Sequence, residues 1–232
     1  NAKLSAAQIS GQLGVLGVVH HVQPGAVSIT QSTEYGTVYS VKELKEIVDV
    51  AHQAGLRVHM DGARIANAAV ALGCDVASFT SEVGIDILSF GGTKNGMVYG
   101  EAIIVFDPSL SEAVEYLQKQ SAQLPSKMRF IAAQFLAMLN DDLWLDQARH
   151  ANEMAALLSE RISSISGVNI TQPTQANAVF ATLPIEAISR LQEWTPFYTW
   201  EGDNEVRWMT SFSTKASDVE ILAEGIKTVL EE

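Results

Sequence analysis

The sequence of 232 residues is 47% hydrophobic and 18% charged, enough for a substantial core arranged as one large domain or two modest ones. Its 15 Lys and Arg stand against 27 Asp and Glu, a formal net charge of -12, which argues against nonspecific binding to nucleic acid or anionic membrane, since both need a basic surface. Apolar runs are broken before spanning length, no basic-then-apolar leader opens the chain, and the single Cys74 allows neither an internal disulfide nor a zinc-type cluster, so the expectation is a cytoplasmic protein without metal.

From Val27 onward, short β-rich runs alternate with amphipathic helical stretches, the pattern of βαβ units. Val27–Thr30 reads as a strand. Ser40 and Glu43 form an S-x-x-E capping box, and Leu44, Ile47, Val48 and Ala51 then share one helical face, with Gly55 as the stop. Leu56–Met60 is the next strand, ending in Asp61-Gly62, and Ala63–Gly73 the next helix. Two more strands, Ile85–Phe90 and Glu101–Phe106, flank the segment Gly91-Gly92-Thr93-Lys94-Asn95-Gly96. Two or three helices fill Ser111–Ile165, followed by strands at Val168–Thr171 and Ala178–Leu183, a helix near Pro184, strands around Phe197–Trp200 and Glu205–Phe212, and a last helix opened by a Ser217/Glu220 capping box. The predicted fold is α/β: a mainly parallel sheet with flanking helices over residues 1–135, and a smaller C-terminal α/β domain over 136–232 reached through a long helix.

Lys94 is the first chemical question. Asn95-Gly96 between β-rich runs is a hairpin signal, and read locally Lys94 is a solvated residue beside a turn. A nucleotide P-loop is excluded, because Lys94 is followed by Asn95 and not by Ser or Thr. The segment His59–Ala68 changes the weighing. In an open α/β sheet, ligands sit at the carboxyl ends of the strands, where Asp61, Arg64 and Lys94 all fall. Each has a plainer explanation: Asp61 as a helix N-cap, Arg64 as an exposed residue, Lys94 as part of a turn. Together they suit pyridoxal phosphate, with an amine for the aldehyde, a carboxylate to keep the ring nitrogen protonated and a guanidinium for a substrate carboxylate.

Four segments in order make the sequence resemble the L-threonine aldolase and β-eliminating lyase family of fold-type-I pyridoxal-phosphate enzymes. They are Asp61-Gly62-Ala63-Arg64, Gly92-Thr93-Lys94-Asn95, Met128-Arg129 and Val206-Arg207-Trp208-Met209-Thr210-Ser211. The resemblance implies Lys94 as the Schiff-base lysine, Asp61 as the partner of the pyridine nitrogen, Thr93 beside the cofactor, and Arg64 with Arg207 as the clamp on the substrate carboxylate. It implies retro-aldol cleavage of a β-hydroxy-α-amino acid, threonine or a β-aryl serine, to glycine and an aldehyde, by a homodimer or homotetramer. Where many relatives carry a histidine, this sequence has Ser32-Thr33-Glu34-Tyr35-Gly36, which makes Glu34 a candidate base or water-orienting group, against plain loop exposure. The family's N-terminal portion, with its phosphate-binding turn and stacking ring, finds no match here, so the chain alone is expected to bind the cofactor poorly. The alternatives are a β-eliminating lyase or aminotransferase of the same fold, a lysine aldolase without cofactor, and a non-catalytic association module.

Overall fold

The computed structural model describes residues 2–231, whose strands fall into two four-stranded sheets. In the first, β1 (Ala26–Thr30), β2 (Arg57–Gly62) and β3 (Ile87–Gly91) run parallel in that order, and β4 (Glu101–Val105) returns antiparallel beside β3. The sheet is therefore mixed. The link from β3 to β4, residues 92–100, is too short for a crossover helix, so the chain has to turn back as a hairpin.

Alternation along the strands gives this sheet two unlike faces. Val27, Ile29, Val58, Met60, Leu88 and Phe90 are buried on one, in a core shared with helices α2 (Val41–Gln53) and α3 (Ile65–Leu72). The other face carries Ser28, His59, Asp61 and Ser89 and is more open. Helix α2 begins as its sequence dictates: the Glu43 backbone N–H donates to Ser40 Oγ at 3.2 Å and the Ser40 N–H to Glu43 Oε2 at 2.7 Å. Its stripe of Leu44, Ile47, Val48 and Ala51 is no more than 2% exposed. Burial of each of the larger three stabilises the fold by about 1.5–3 kcal/mol. A second capping box, Ser5 with Gln8, opens a short helix α1 (Ala6–Gln12) that the sequence pattern did not reveal, since Gly11 and a length of seven residues leave little periodicity to read.

Three helices follow, α4 (Ser111–Gln120), α5 (Met128–Leu139) and α6 (Leu143–Ser163). The second sheet is antiparallel throughout, in the order β5 (Asn169–Ile170), β6 (Ala178–Thr182), β8 (Glu205–Met209), β7 (Tyr198–Thr199). Helices α7 (Ile185–Trp194) and α8 (Ala216–Glu231), together with α6, bury Leu158, Ile162, Val179, Leu191, Val206 and Ile226 in a second core. Ser217 does not cap α8 as anticipated. The helix already begins at Ala216, which puts Asp218 three residues after Lys215, where its carboxylate reaches back to accept the Lys215 N–H at 3.1 Å as the third helical residue of a capping box does.

Helix α6 ties the two sheets together. The Asn152 amide reaches Asn67 of α3 at 3.0 Å, the Asn67 amide returns to Asn152 Oδ1 at 2.9 Å, and Thr210, just past β8, donates to the Ala151 carbonyl at 2.6 Å. Adjacent residues of α6 thus link the helix that follows β2 to the end of β8.

Candidate active site

Asp61 is the penultimate residue of β2, level with Thr30 of β1 and Ser89 of β3. Its Oδ1 accepts the Ala63 N–H at 2.8 Å, which fixes the carboxylate against its own turn; it is not the cap of α3, whose N-cap position belongs to Arg64. The other carboxylate oxygen accepts no hydrogen bond among the described residues. On the same face, His59 bridges two strands, with Nδ1 2.8 Å from Ser28 Oγ and Nε2 3.0 Å from Ser89 Oγ. In the neutral ring one of these nitrogens donates and the other accepts. The i, i+2 spacing of His59 and Asp61 on a strand was the available sequence signal for this histidine.

The Lys94 turn is set against Asp61's turn by two glycines. A Cβ on Gly91 would lie 2.6 Å from Ala63 Cα and 2.7 Å from its carbonyl oxygen, and one on Gly62 would lie 2.8 Å from the Ser89 carbonyl oxygen. Only hydrogen permits that approach. Beyond Gly91, residues Thr93–Asn95 form a 3-10 turn. Thr93 Oγ1 accepts the Gly100 N–H at 3.1 Å and closes the loop, while buried Asn95 donates to the Trp144 carbonyl of α6 at 2.8 Å. Gly96 follows at φ 103° and carries the chain into the hairpin. Lys94 is exposed on this pinned turn and, among the described residues, its amine has no hydrogen-bond or ion-pair partner.

Glu34, Arg64 and Arg207 come from three distant segments. The turn Thr33–Gly36 closes with the Gly36 N–H on the Thr33 carbonyl at 2.9 Å, and Gly36, at φ 67°, lies so near β6 that an added Cβ would stand 2.9 Å from Ala178 Cβ. Tyr35 follows onto Phe180, ring centroids 4.9 Å apart. The strand neighbour of Phe180 is Arg207, so Glu34 arrives beside it. Glu34 Oε2 lies 3.6 Å from Arg207 Nη1 and Oε1 lies 3.8 Å from Arg64 Nη1. Both arginine side chains are mostly buried, 13% exposed for Arg64 and 14% for Arg207, whereas Glu34 is 50% exposed.

Burial pushes the Arg64 guanidinium below the ordinary arginine value; the charge of Glu34 opposes this, Arg207 reinforces it, and Asp61 opposes it. Arg207 lies over two rings, 4.0 Å from the Trp200 centroid and 5.6 Å from that of Tyr198. Tyr35 stacks in the same aromatic group, and burial, with a hydrogen bond to Glu201, pushes its phenol up to about 12. These aromatic supports went unread in the sequence, because ring contacts between separate segments leave no local periodicity. The site thus brings Asp61, Arg64, Glu34 and Arg207 together, with Lys94 and Thr93 on the adjoining turn and not in contact with the four. Arg64, read alternatively as exposed, is in fact mostly buried.

Residues 1–185 match the family model described as beta-eliminating lyase. A low specificity L-threonine aldolase of Pseudomonas aeruginosa is 45% identical over 214 residues, which is 91% of this chain and 62% of the relative. A threonine aldolase structure from Leishmania major superposes with a TM-score of 0.91 at 29% identity, covering 98% of this chain and 68% of that one. The structure of a 4-hydroxyphenylacetaldehyde synthase from Rhodiola rosea, at 17% identity and a TM-score of 0.74, shares the fold. The chain spans 62% of the length of the bacterial relatives it matches. The four motifs, the turn-to-turn packing of Asp61 and Lys94 and the extent of these matches establish that the chain belongs to the beta-eliminating lyase family.

Proposed function

We propose that the chain carries the catalytic lysine and the carboxylate clamp of a pyridoxal-phosphate aldehyde-lyase that cleaves threonine-type β-hydroxy-α-amino acids to glycine and an aldehyde. The observation that carries this reading is the arrangement at one sheet end: an unpartnered amine, a carboxylate with one free oxygen, and two buried guanidinium groups turned toward a common carboxylate. The relatives, threonine aldolases, support the choice among reactions. The donor set fits the cofactor, since Lys94 supplies the amine for its aldehyde and Asp61 the charge for its ring nitrogen.

Bound there, pyridoxal phosphate would supply an electron-withdrawing ring that accepts the electron pair released when the Cα–Cβ bond breaks. Every other task belongs to side chains. Arg64 and Arg207 grip the substrate carboxylate, and because Trp200 and burial hold them in place, that grip orients the β-hydroxyl group. Glu34, the carboxylate nearest the clamp, accepts the hydroxyl proton as the C–O bond becomes a carbonyl. Asp61, anchored by the Ala63 amide, would hold the ring nitrogen of the bound cofactor.

Added pyridoxal phosphate is expected to give a yellow absorbance band, and borohydride reduction is expected to leave the label on the peptide containing Lys94. A label on another lysine would remove Lys94 from its role. Release of ammonia and a keto acid, in place of glycine and an aldehyde, would reassign the reaction within the fold.

The reading extends to a homo-oligomer in a reducing, cytoplasmic compartment, supported by the free Cys74 thiol and by exposed Tyr116, Leu117, Phe130 and Leu136 on α4 and α5. Sedimentation is expected to give at least a dimer, and Phe130→Glu with Leu136→Glu to shift it toward monomer. A monomer in the unsubstituted protein would contradict this. No helix among the described residues is long and apolar enough to cross a membrane.

A further inference from the structure

We infer that Glu34 is an internal occupant of the carboxylate clamp: it offsets part of the charge of Arg64 and Arg207 while the site is empty and is displaced by the carboxylate of an incoming amino acid. The inference rests on the clamp reading above and adds the competition within it.

Two positive charges mostly removed from water and close enough to repel each other need an anion nearby. Asp61 offsets part of this charge at Arg64, and Glu34 is the carboxylate within ion-pair distance of both, with one oxygen toward each guanidinium. That division is how a ligand carboxylate would engage the same pair. Its distances of 3.6 and 3.8 Å are nevertheless beyond hydrogen-bond length, and the residue is 50% exposed against 13% and 14% for the arginines. A structural ion pair with this burial would close to direct hydrogen bonds. Glu34 is instead half exposed, with water into which its side chain can swing.

The surrounding framework does not depend on the ion pair. The turn that carries Glu34 is closed by the Thr33–Gly36 backbone bond, by the Thr33 N–H on the Thr37 carbonyl at 2.9 Å, and by Tyr35 on Phe180. Arg207 is held by Trp200 at 4.0 Å, and its buried Nε has no hydrogen-bond partner among the described residues, which leaves it able to donate to a carboxylate seated more deeply than Glu34. A ligand can therefore replace Glu34 without remodelling the site. Its apparent affinity is reduced by the fraction of time Glu34 fills the clamp, so an occupancy of about nine-tenths lowers the affinity about tenfold. Once displaced, the Glu34 carboxylate stands free beside the bound substrate, which is where a proton acceptor for its hydroxyl is required.

The test uses the whole chain without cofactor and propionate as the probe, exchanged for chloride at constant ionic strength. Side-chain Nε–H resonances of Arg64 and Arg207 report occupation of the clamp, and the Glu34 side-chain carboxyl carbon reports its release. In the unsubstituted chain the three signals are expected to move together along one saturation curve. Glu34→Gln, and separately Glu34→Ala, are expected to tighten propionate binding about tenfold, and adding Arg207→Gln is expected to abolish it. Equal affinity in the unsubstituted chain and both Glu34 variants, or a Glu34 signal that stays still while the arginine signals saturate, would overturn the competition and leave the clamp standing. Absence of any arginine response in all forms would overturn the clamp itself and this inference with it.

Discussion

Lys94→Ala is expected to abolish covalent capture of pyridoxal phosphate, whereas Asp61→Asn is expected to keep capture and slow threonine cleavage by about 10²- to 10³-fold. The two effects separate because the two side chains stand on different supports. Lys94 projects from a turn held by Thr93 and Asn95, so alanine removes the amine and leaves the turn in place. Asparagine at position 61 can still accept the Ala63 N–H through its carbonyl, so the geometry at the end of β2 survives. What it lacks is the negative charge that favours a protonated ring nitrogen, and the loss falls on the bond-breaking step. Peptide mapping after borohydride treatment reads the first variant, and release of glycine and aldehyde reads the second. Cleavage by Asp61→Asn at the unsubstituted rate would remove Asp61 from its assigned role.

Much of the frame is written in local sequence. The Ser40 and Glu43 box, the α2 stripe and the alternation of β1 to β3 are each specified within a few residues, and these elements formed where expected. The return of β4 beside β3 was foreshadowed by Asn95-Gly96, yet it ran against the parallel pattern set by the preceding units. The start of α8 escaped because Ser217 with Glu220 and Lys215 with Asp218 have the same three-residue spacing, and only the folded turn decides between them.

The site divides along the same line. Asp61, Arg64 and Lys94 were legible because strand ends of one sheet must lie side by side. Glu34 and Arg207 could be named through motifs, but not joined to each other. Their meeting depends on Gly36 approaching Ala178 and Tyr35 reaching Phe180, contacts between the turn after β1 and the second sheet that sequence periodicity does not encode. The proximity of the two arginines, and the carboxylate between them, are properties of that interface.

Gly91→Ala is expected to destabilise the chain by about 1–3 kcal/mol and to reduce cofactor capture at Lys94 along with it. The added methyl would fall 2.6, 2.7 and 2.8 Å from Ala63 Cα, carbonyl oxygen and carbonyl carbon, all backbone atoms that no rotamer change can move aside. Relief has to come from separating the turn that follows Asp61 from the turn that carries Lys94, and so the strain falls on the distance the site depends on. Gly11→Ala is the matching control. It lies within α1, an alanine Cβ there would meet nothing within 4 Å, and it is expected to gain about 0.5–1 kcal/mol from helix propensity while leaving capture unchanged. Urea midpoints at a common slope read the stability of both variants, and the borohydride label reads the site. If Gly91→Ala captures the cofactor as the unsubstituted chain does, then Lys94 does not need its turn locked to Ala63, and the close approach of the two turns serves packing alone.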